Sequence, residues 1–240
     1  MQLIVLAAGR GSRLPEKFRF SPKCLCQINN KTILEHNLDF FKKFKNKLIV
    51  GGYKNNQLKK FSKKYNFKLI KNKNFKSTNM VESLFIASNY IKDDVVVCYG
   101  DIIFNSSIFN QLKKKDNLMP LNINWFDYWI KRMNRKQILN DAEDVKISNG
   151  RLISIGNRIN DKMPKYQYMG IFKIRKKSFY ILSRFYKSIK NKKIDMTSFI
   201  DKSIQEKKIN FKIIKYKRSW FEIDTYNDVK ATSKILNQKK

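Results

Sequence analysis

The sequence predicts a single α/β domain built on a mixed, mostly parallel central sheet. Apolar strand-like runs alternate with amphipathic helical stretches through the first hundred residues. No repeat, Pro/Gly-rich linker or low-complexity tract divides the 240 residues. With 42% hydrophobic and 13% aromatic residues, the chain can fill one core. One unit is therefore expected over 1–240, with two unlike halves meeting at about residue 118.

Leu3-Ile4-Val5-Leu6 reads as a buried strand. A helix is expected over Thr32 to Phe44, where Leu34, Leu38 and Phe41 share a face, then a strand over Leu48 to Val50 closed by Gly51-Gly52. The rhythm continues with a Lys-rich helix around Gln57 to Tyr65, a short strand near Lys68 to Ile70, and a helix after Asn79 with Met80, Leu84, Ala87 and Ile91 on one stripe. Val95 to Cys98 is entirely apolar, as a strand covered on both faces must be. In the second half Asn149-Gly150 reads as a hairpin turn and Gln167 to Ile174 as a strand. Helices are expected over Lys177 to Lys190 and Met196 to Glu206.

The formal net charge of +33 raises a nucleic-acid-binding alternative, because clustered cations release counterions from phosphate backbones. The composition opposes it. There are 42 Lys against 10 Arg, together with 25 Asn, and the Lys are spread along the whole chain. Arg is the residue that grips phosphate with two prongs, so this excess resembles the codon bias of an AT-rich genome and no specific nucleic-acid partner is expected. The field still attracts a small polyanion such as a nucleoside triphosphate. No apolar run approaches the ~18 residues that cross a bilayer, and Met1 leads straight into a strand, so neither membrane insertion nor export is expected. Cys24, Cys26 and Cys98 lack metal-site spacing and fit reduced thiols in a cytoplasm. Oligomeric state stays open, a homo-oligomer included.

The sharpest signal is Leu6-Ala7-Ala8-Gly9-Arg10-Gly11-Ser12-Arg13, followed by Pro22-Lys23-Cys24-Leu25. It begins at the carboxyl end of the first strand, where open α/β sheets bind ligands, and its small residues let the backbone come close to a nucleotide. No Gly-Lys-Ser/Thr closes it, so it is not a P-loop, and Arg13 replaces the third glycine of a dinucleotide fingerprint. Arg13 can take triphosphate charge in a bidentate grip, and Lys23, fixed by Pro22, supplies a second cation.

The pattern Leu-Ala-Ala-Gly-x-Gly-Ser-Arg with a later Pro-Lys-x-Leu resembles the signature of nucleotidyltransferases that activate sugars and alcohols from a nucleoside triphosphate and a phosphomonoester. Three later segments extend the likeness: Thr78-Asn79-Met80-Val81-Glu82-Ser83-Leu84, Tyr99-Gly100-Asp101 and Trp220-Phe221-Glu222-Ile223-Asp224. Within that family the chain is similar to the phosphocholine-type cytidylyltransferases. Through Asn140-Asp141-Ala142-Glu143, Tyr168-Met169-Gly170 and Met196-Thr197-Ser198-Phe199 it also resembles the phosphoglutamine cytidylyltransferases of capsule biosynthesis. The resemblance implies a Rossmann-like domain, CTP and a small phosphomonoester or phosphonate as substrates, and Mg²⁺ as cofactor. It also implies nucleotide contacts from Leu6, Ala7, Ala8, Gly9, Gly11, Ser12, Arg13, Lys23, Gly52, Asn79, Ser83 and Asp101. A sugar-1-phosphate nucleotidyltransferase using UTP, dTTP or GTP is the alternative within the class, since no spacing separates cytosine from uracil.

The chemistry assigns roles. An anionic phosphate must attack the α-phosphorus of an already anionic nucleotide, so cations must surround that centre. Lys23 is expected to stabilise the α-phosphoryl charge and Arg13 to hold the β and γ groups. Mg²⁺ favours carboxylates plus phosphate oxygens, which suits Asp101 and Asp224. Glu222 stands two residues from Asp224 and in an extended segment faces the same way, so it is expected to join them while Ile223 turns inward. His36, the only histidine, lies inside the predicted helix and is expected to be structural. For the acceptor, Trp125, Phe126, Tyr128 and Trp129 are candidates for an aromatic cage around a quaternary ammonium, with Trp220 and Tyr168 as further candidates. Arg132 is a candidate for a carboxylate or phosphate, and Glu143, Asp144 or Asp141 for an ammonium group.

Overall fold

The computed structural model describes residues 1–159 and 162–238. The first strands are β1 (Gln2–Ala7), β2 (Gln27–Ile28), β3 (Lys31–Thr32), β4 (Lys47–Gly51), β5 (Lys68–Lys71), β6 (Val95–Tyr99) and β7 (Ile102–Phe104). Between them lie α1 (Ile33–His36), α2 (Leu38–Phe41), α3 (Asn55–Lys64) and α4 (Met80–Ile86). The second half adds β8 (Leu118–Asn122), β9 (Glu143–Ser148), β10 (Arg151–Arg158), β11 (Gln167–Tyr168), β12 (Ile171–Ile174), β13 (Lys212–Tyr216) and β14 (Trp220–Glu222). Its helices are α5 (Ile108–Leu112), α6 (Trp125–Trp129), α7 (Arg135–Asp141), α8 (Lys176–Ser188), α9 (Met196–Gln205) and α10 (Tyr226–Asn237).

One sheet joins both halves in the order β5-β4-β1-β6-β12-β8-β13-β10-β9, with β11 also paired to β8. The expected α/β class is what forms: β5, β4, β1 and β6 are parallel, β12 runs antiparallel to β6 and β8, and β8 and β13 are parallel. The central strands are apolar because both faces are covered; Leu3, Ile4, Val5, Val95, Val96 and Val97 are fully buried. From β1 the chain first proceeds to β4 and β5 on one side, then crosses to β6 on the other. That reversal opens a crevice at the carboxyl ends of β1 and β6, the position where such sheets bind ligands.

Two expected elements are divided. The Thr32 to Phe44 helix breaks at Asn37, whose buried amide donates to the carbonyls of Ile33 (3.2 Å) and Ile102 (2.7 Å) and accepts from the Phe104 N–H (3.2 Å). These bonds bind the helix pair to β7. The Gln167 to Ile174 strand breaks at Gly170, whose φ of +70° turns the chain so that β11 pairs with β8 while β12 pairs with β6. The Asn149-Gly150 hairpin forms as expected between β9 and β10, both turn residues having positive φ.

α1 begins with a capping box. Thr32 Oγ1 accepts from the Glu35 N–H at 3.1 Å, and the Glu35 carboxylate accepts from the Thr32 N–H at 3.0 Å. The bond from the Thr32 backbone, with further help from the Tyr65 hydroxyl, holds the Glu35 pKa below its ordinary value. A carboxylate with a depressed folded pKa contributes stability above its unfolded pKa and loses it as pH falls through the folded one. Glu35→Ala is therefore expected to cost about 1 kcal/mol at neutral pH. The deficit should shrink below about pH 4.5, as read by urea unfolding at several pH values.

The three cysteines are buried and free, and His36 is structural as expected, its Nε2 lying 2.8 Å from the Ile28 carbonyl. Among the described residues no helix is long and apolar enough to cross a membrane.

Candidate active site

The crevice at the ends of β1 and β6 is an open cavity of about 120 Å³. Its lining includes Leu6, Ala7, Ala8, Gly9, Lys23, Asn79, Ser83 and Asp101, eight of the residues expected to contact nucleotide. Cys24, Thr78, Met80 and Gly100, from the same motif segments, also line it, together with Asn72 and Phe75, which sequence reasoning missed. Asn72 follows β5 directly and is buried; its Nδ2 donates to Ser83 Oγ (3.0 Å) and Thr78 Oγ1 (3.3 Å), giving the inner wall a fixed polar cluster. Burial pushes the Cys24 thiol up to about 12, so it lines the cavity as a neutral group.

Gly52 is not part of the lining. A Cβ there would lie 2.6 Å from Phe75 Cβ and 3.0 Å from Ala8 Cβ, so this glycine lets Phe75 and the first loop pack against the second. Gly11, Ser12 and Arg13 also lie outside the lining, on the loop that passes over Lys23. The segment that follows is tied to the start of α3: Tyr53 donates to the Arg19 carbonyl, and Lys54 and Gln57 both donate to the Phe20 carbonyl.

Asp101 and Asp224, 123 positions apart, are brought together by β7 and β14. These strands pair antiparallel with Glu222 opposite Ile102, and the Ile223 N–H donates to the Asp101 carbonyl at 2.9 Å. Ile223 turns into the core as expected. Lys23 stands between the two carboxylates, its Nζ 2.8 Å from Asp101 Oδ2 and also bonded to Asp224 Oδ1. Arg13, with 63% of its side chain exposed, reaches Asp224 Oδ2 at 2.9 Å. Burial alone would lower the Lys23 pKa, but the two carboxylates outweigh it and hold the ammonium above the usual lysine range. At Asp224 burial pushes upward, yet Lys23 and then Arg13 prevail and keep its pKa depressed.

Glu222 is a correction. Its carboxylate does not join Asp101 and Asp224 around Lys23 but lies 3.5 Å from Arg132 Nη2. Burial, followed by the Asp224 charge, raises its pKa. Among the described residues no group of three metal-ligating side chains forms, because Glu222 points to Arg132.

The aromatic cage is also corrected. Trp125 and Trp129 pack edge to face on α6 and are buried, Trp129 being only 1% exposed. Trp220 is buried with its indole N–H donating to the Met169 carbonyl at 3.0 Å. Tyr168 is buried edge-on against Tyr99. Arg132 is buried and paired with Asp228 and Glu222. These side chains are buried among core neighbours, with Trp129 Nε1, Arg132 Nε and the Tyr168 hydroxyl lacking a hydrogen-bond partner among the described residues. Glu143 is half-buried and accepts from Thr197 Oγ1 at 2.8 Å; burial raises its pKa.

A crevice at the strand-order reversal is where open α/β sheets bind ligands, and here it is lined by small residues and flanked by an Asp-Lys-Asp cluster. The chain belongs to the nucleotidyltransferases: residues 3–116 match the MobA-like NTP transferase domain, and a full-length relative extends the match across the rest. That relative, the CTP:phosphoglutamine cytidylyltransferase of Campylobacter jejuni, is 31% identical over 96% of this chain and 98% of its own. The choline-phosphate cytidylyltransferase of Streptococcus pneumoniae is 28% identical over 48% of this chain and 51% of its own. In fold, the solved CTP:phosphocholine cytidylyltransferase of Streptococcus pneumoniae superposes with a TM-score of 0.80, at 19% identity and 98% coverage of each chain.

Proposed function

We propose that the protein transfers CMP from CTP to a small phosphorylated acceptor with release of pyrophosphate, phosphoglutamine-, phosphocholine- and phosphonate-like compounds standing first. The observation that carries this reading is the meeting of Asp101 and Asp224 on the Lys23 ammonium beside the Ala7–Gly9 backbone. The full-length likeness to a cytidylyltransferase supports CTP.

Mg²⁺ is the cofactor these residues suit. Asp101 Oδ1 is buried and has no hydrogen-bond partner among the described residues, which leaves a hard oxygen free for an ion. Asp101 and Asp224 would hold it, and when bound it supplies positive charge to the triphosphate and the departing pyrophosphate. The protein does the rest. The Ala7–Gly9 backbone lies close against the nucleotide, and Asn72, Thr78 and Ser83 present donors and acceptors to the edge of the base. Lys23 and Arg13 face the phosphates. An oxygen of the acceptor phosphate attacks the α-phosphorus as the α–β bridging bond breaks, and the electron pair leaves with pyrophosphate. The attacking phosphate is already ionised at neutral pH, so no side chain need remove a proton. Glu143 is our candidate for an ammonium group on the acceptor.

The deciding experiment is a nucleotide-by-acceptor matrix read by pyrophosphate release. It should give the highest kcat/KM with CTP and one of the named acceptors. Release that is faster with UTP, dTTP or GTP and a sugar 1-phosphate would contradict the assignment. A second prediction concerns the back wall. Gly52→Ala is expected to drive Phe75 toward the nucleotide, raising KM for CTP about tenfold with kcat little changed, as steady-state kinetics would show.

A further inference from the structure

We infer that Asp228 and Arg132 are positioning residues that fix Asp224 for the reaction, an inference that rests on the proposed role of Asp224. Asp228 Oδ2 accepts from two successive backbone N–H groups, Asp224 at 2.8 Å and Thr225 at 2.6 Å. Its other oxygen, Oδ1, accepts from Arg132 Nη1 at 3.0 Å. Both side chains are almost fully buried, 1% exposed for Asp228 and 2% for Arg132. The guanidinium lies 4.6 Å from the Trp129 ring centroid and 5.1 Å from that of Tyr128. Tyr128 in turn donates to the Glu222 carbonyl at 3.0 Å, and Arg132 Nη2 faces the Glu222 carboxylate. One buried pair therefore grips the polypeptide on both sides of Ile223. It holds the Asp224 peptide and turns Glu222 away from Lys23.

Part of the pair's role is structural, since Asp228 and Thr225 form the capping box that starts α10, but the bond to the Asp224 N–H lies outside that box. Burying two charges costs desolvation, and well-packed apolar replacements of a buried ion pair are often neutral or stabilising. What an apolar pair cannot do is accept two backbone N–H bonds at Asp224 and Thr225. A carboxylate that addresses an ion depends on the partners orienting it, and losing such a partner typically costs 10–100-fold in metal affinity or activity. The sequence hid this function. Arg132 reads as a ligand-binding arginine, Asp228 stands in no motif, and their contact spans 96 positions.

The test is Mn²⁺ binding to the full-length protein with α,β-methylene CTP, followed by electron paramagnetic resonance, in wild type, Asp224→Ala, Asp228→Asn and Arg132→Met/Asp228→Leu. The expected result is a Mn²⁺ dissociation constant about 10–100-fold higher in Asp228→Asn and in the double variant. The double variant orphans the Asp224 and Thr225 N–H groups and should unfold at a lower midpoint than wild type, so affinities are compared well below that transition, where every variant is folded. Raising Mg²⁺ should also move the kcat of Asp228→Asn toward wild type, a response that a merely unstable protein would not give. Wild-type Mn²⁺ affinity in either Asp228 variant, alongside lost affinity in Asp224→Ala, would overturn the inference and leave the proposed function standing. Unchanged affinity in Asp224→Ala would overturn the proposed function and this inference with it.

Discussion

Lys23→Met is expected to lower kcat for cytidylyl transfer by on the order of 10²–10³, the usual scale for removing one fixed electrostatic stabiliser from a reacting centre. The same change should strengthen Mn²⁺ binding to the nucleotide-free protein. The Lys23 ammonium stands between Asp101 and Asp224, so it competes for the oxygens that a divalent cation would use. Opposite signs for turnover and metal affinity distinguish this account from simple loss of structure. Steady-state kinetics and a Mn²⁺ titration on one protein sample read both.

Asp101→Ala carries the second large effect, a loss of about 10³-fold or more in kcat/KM, because several kcal/mol of charge stabilisation depend on that carboxylate. Thermal stability should change little. Lys23 keeps Asp224 as its partner, and the substitution removes Asp101 Oδ1, a buried oxygen with no hydrogen-bond partner among the described residues. A melting point within a few degrees of wild type, or above it, would mark Asp101 as a residue retained for function at some expense of stability. A large fall in melting point would place it in the structural framework instead.

The nucleotide half of the site was legible in the sequence for local reasons. Apolar runs such as Val95 to Cys98 declare buried strands, small residues after β1 declare close backbone approach, and Gly100-Asp101 marks a strand end. The second half was less legible because its contacts are non-local. Aromatic density at Trp125 and Trp129 looks the same in a cage and in a core. The difference lies in Pro164, whose carbonyl accepts from Trp125, and in Asp228, which claims Arg132 from another helix. Glu222 and Asp224 share one face in a continuous strand, but β14 ends at Glu222, and the buried guanidinium pulls that carboxylate away from Asp224. Asn37 interrupts a well-formed helical stripe because β7 offers its amide better partners than solvent. Asn72 and Phe75 belong to no periodic pattern, and only the packing of the loop after β5 brings them to the cavity.

The central claim is that Asp101 and Asp224 share one divalent ion beside the Ala7–Gly9 backbone. Anomalous diffraction from crystals grown with Mn²⁺ and α,β-methylene CTP tests it most directly. The account predicts a manganese peak within direct bonding distance of both carboxylates, with the triphosphate beside Lys23 and the pyrimidine against Asn72 and Ser83. A peak held by the triphosphate alone, with Asp101 and Asp224 still closed on Lys23, would contradict it.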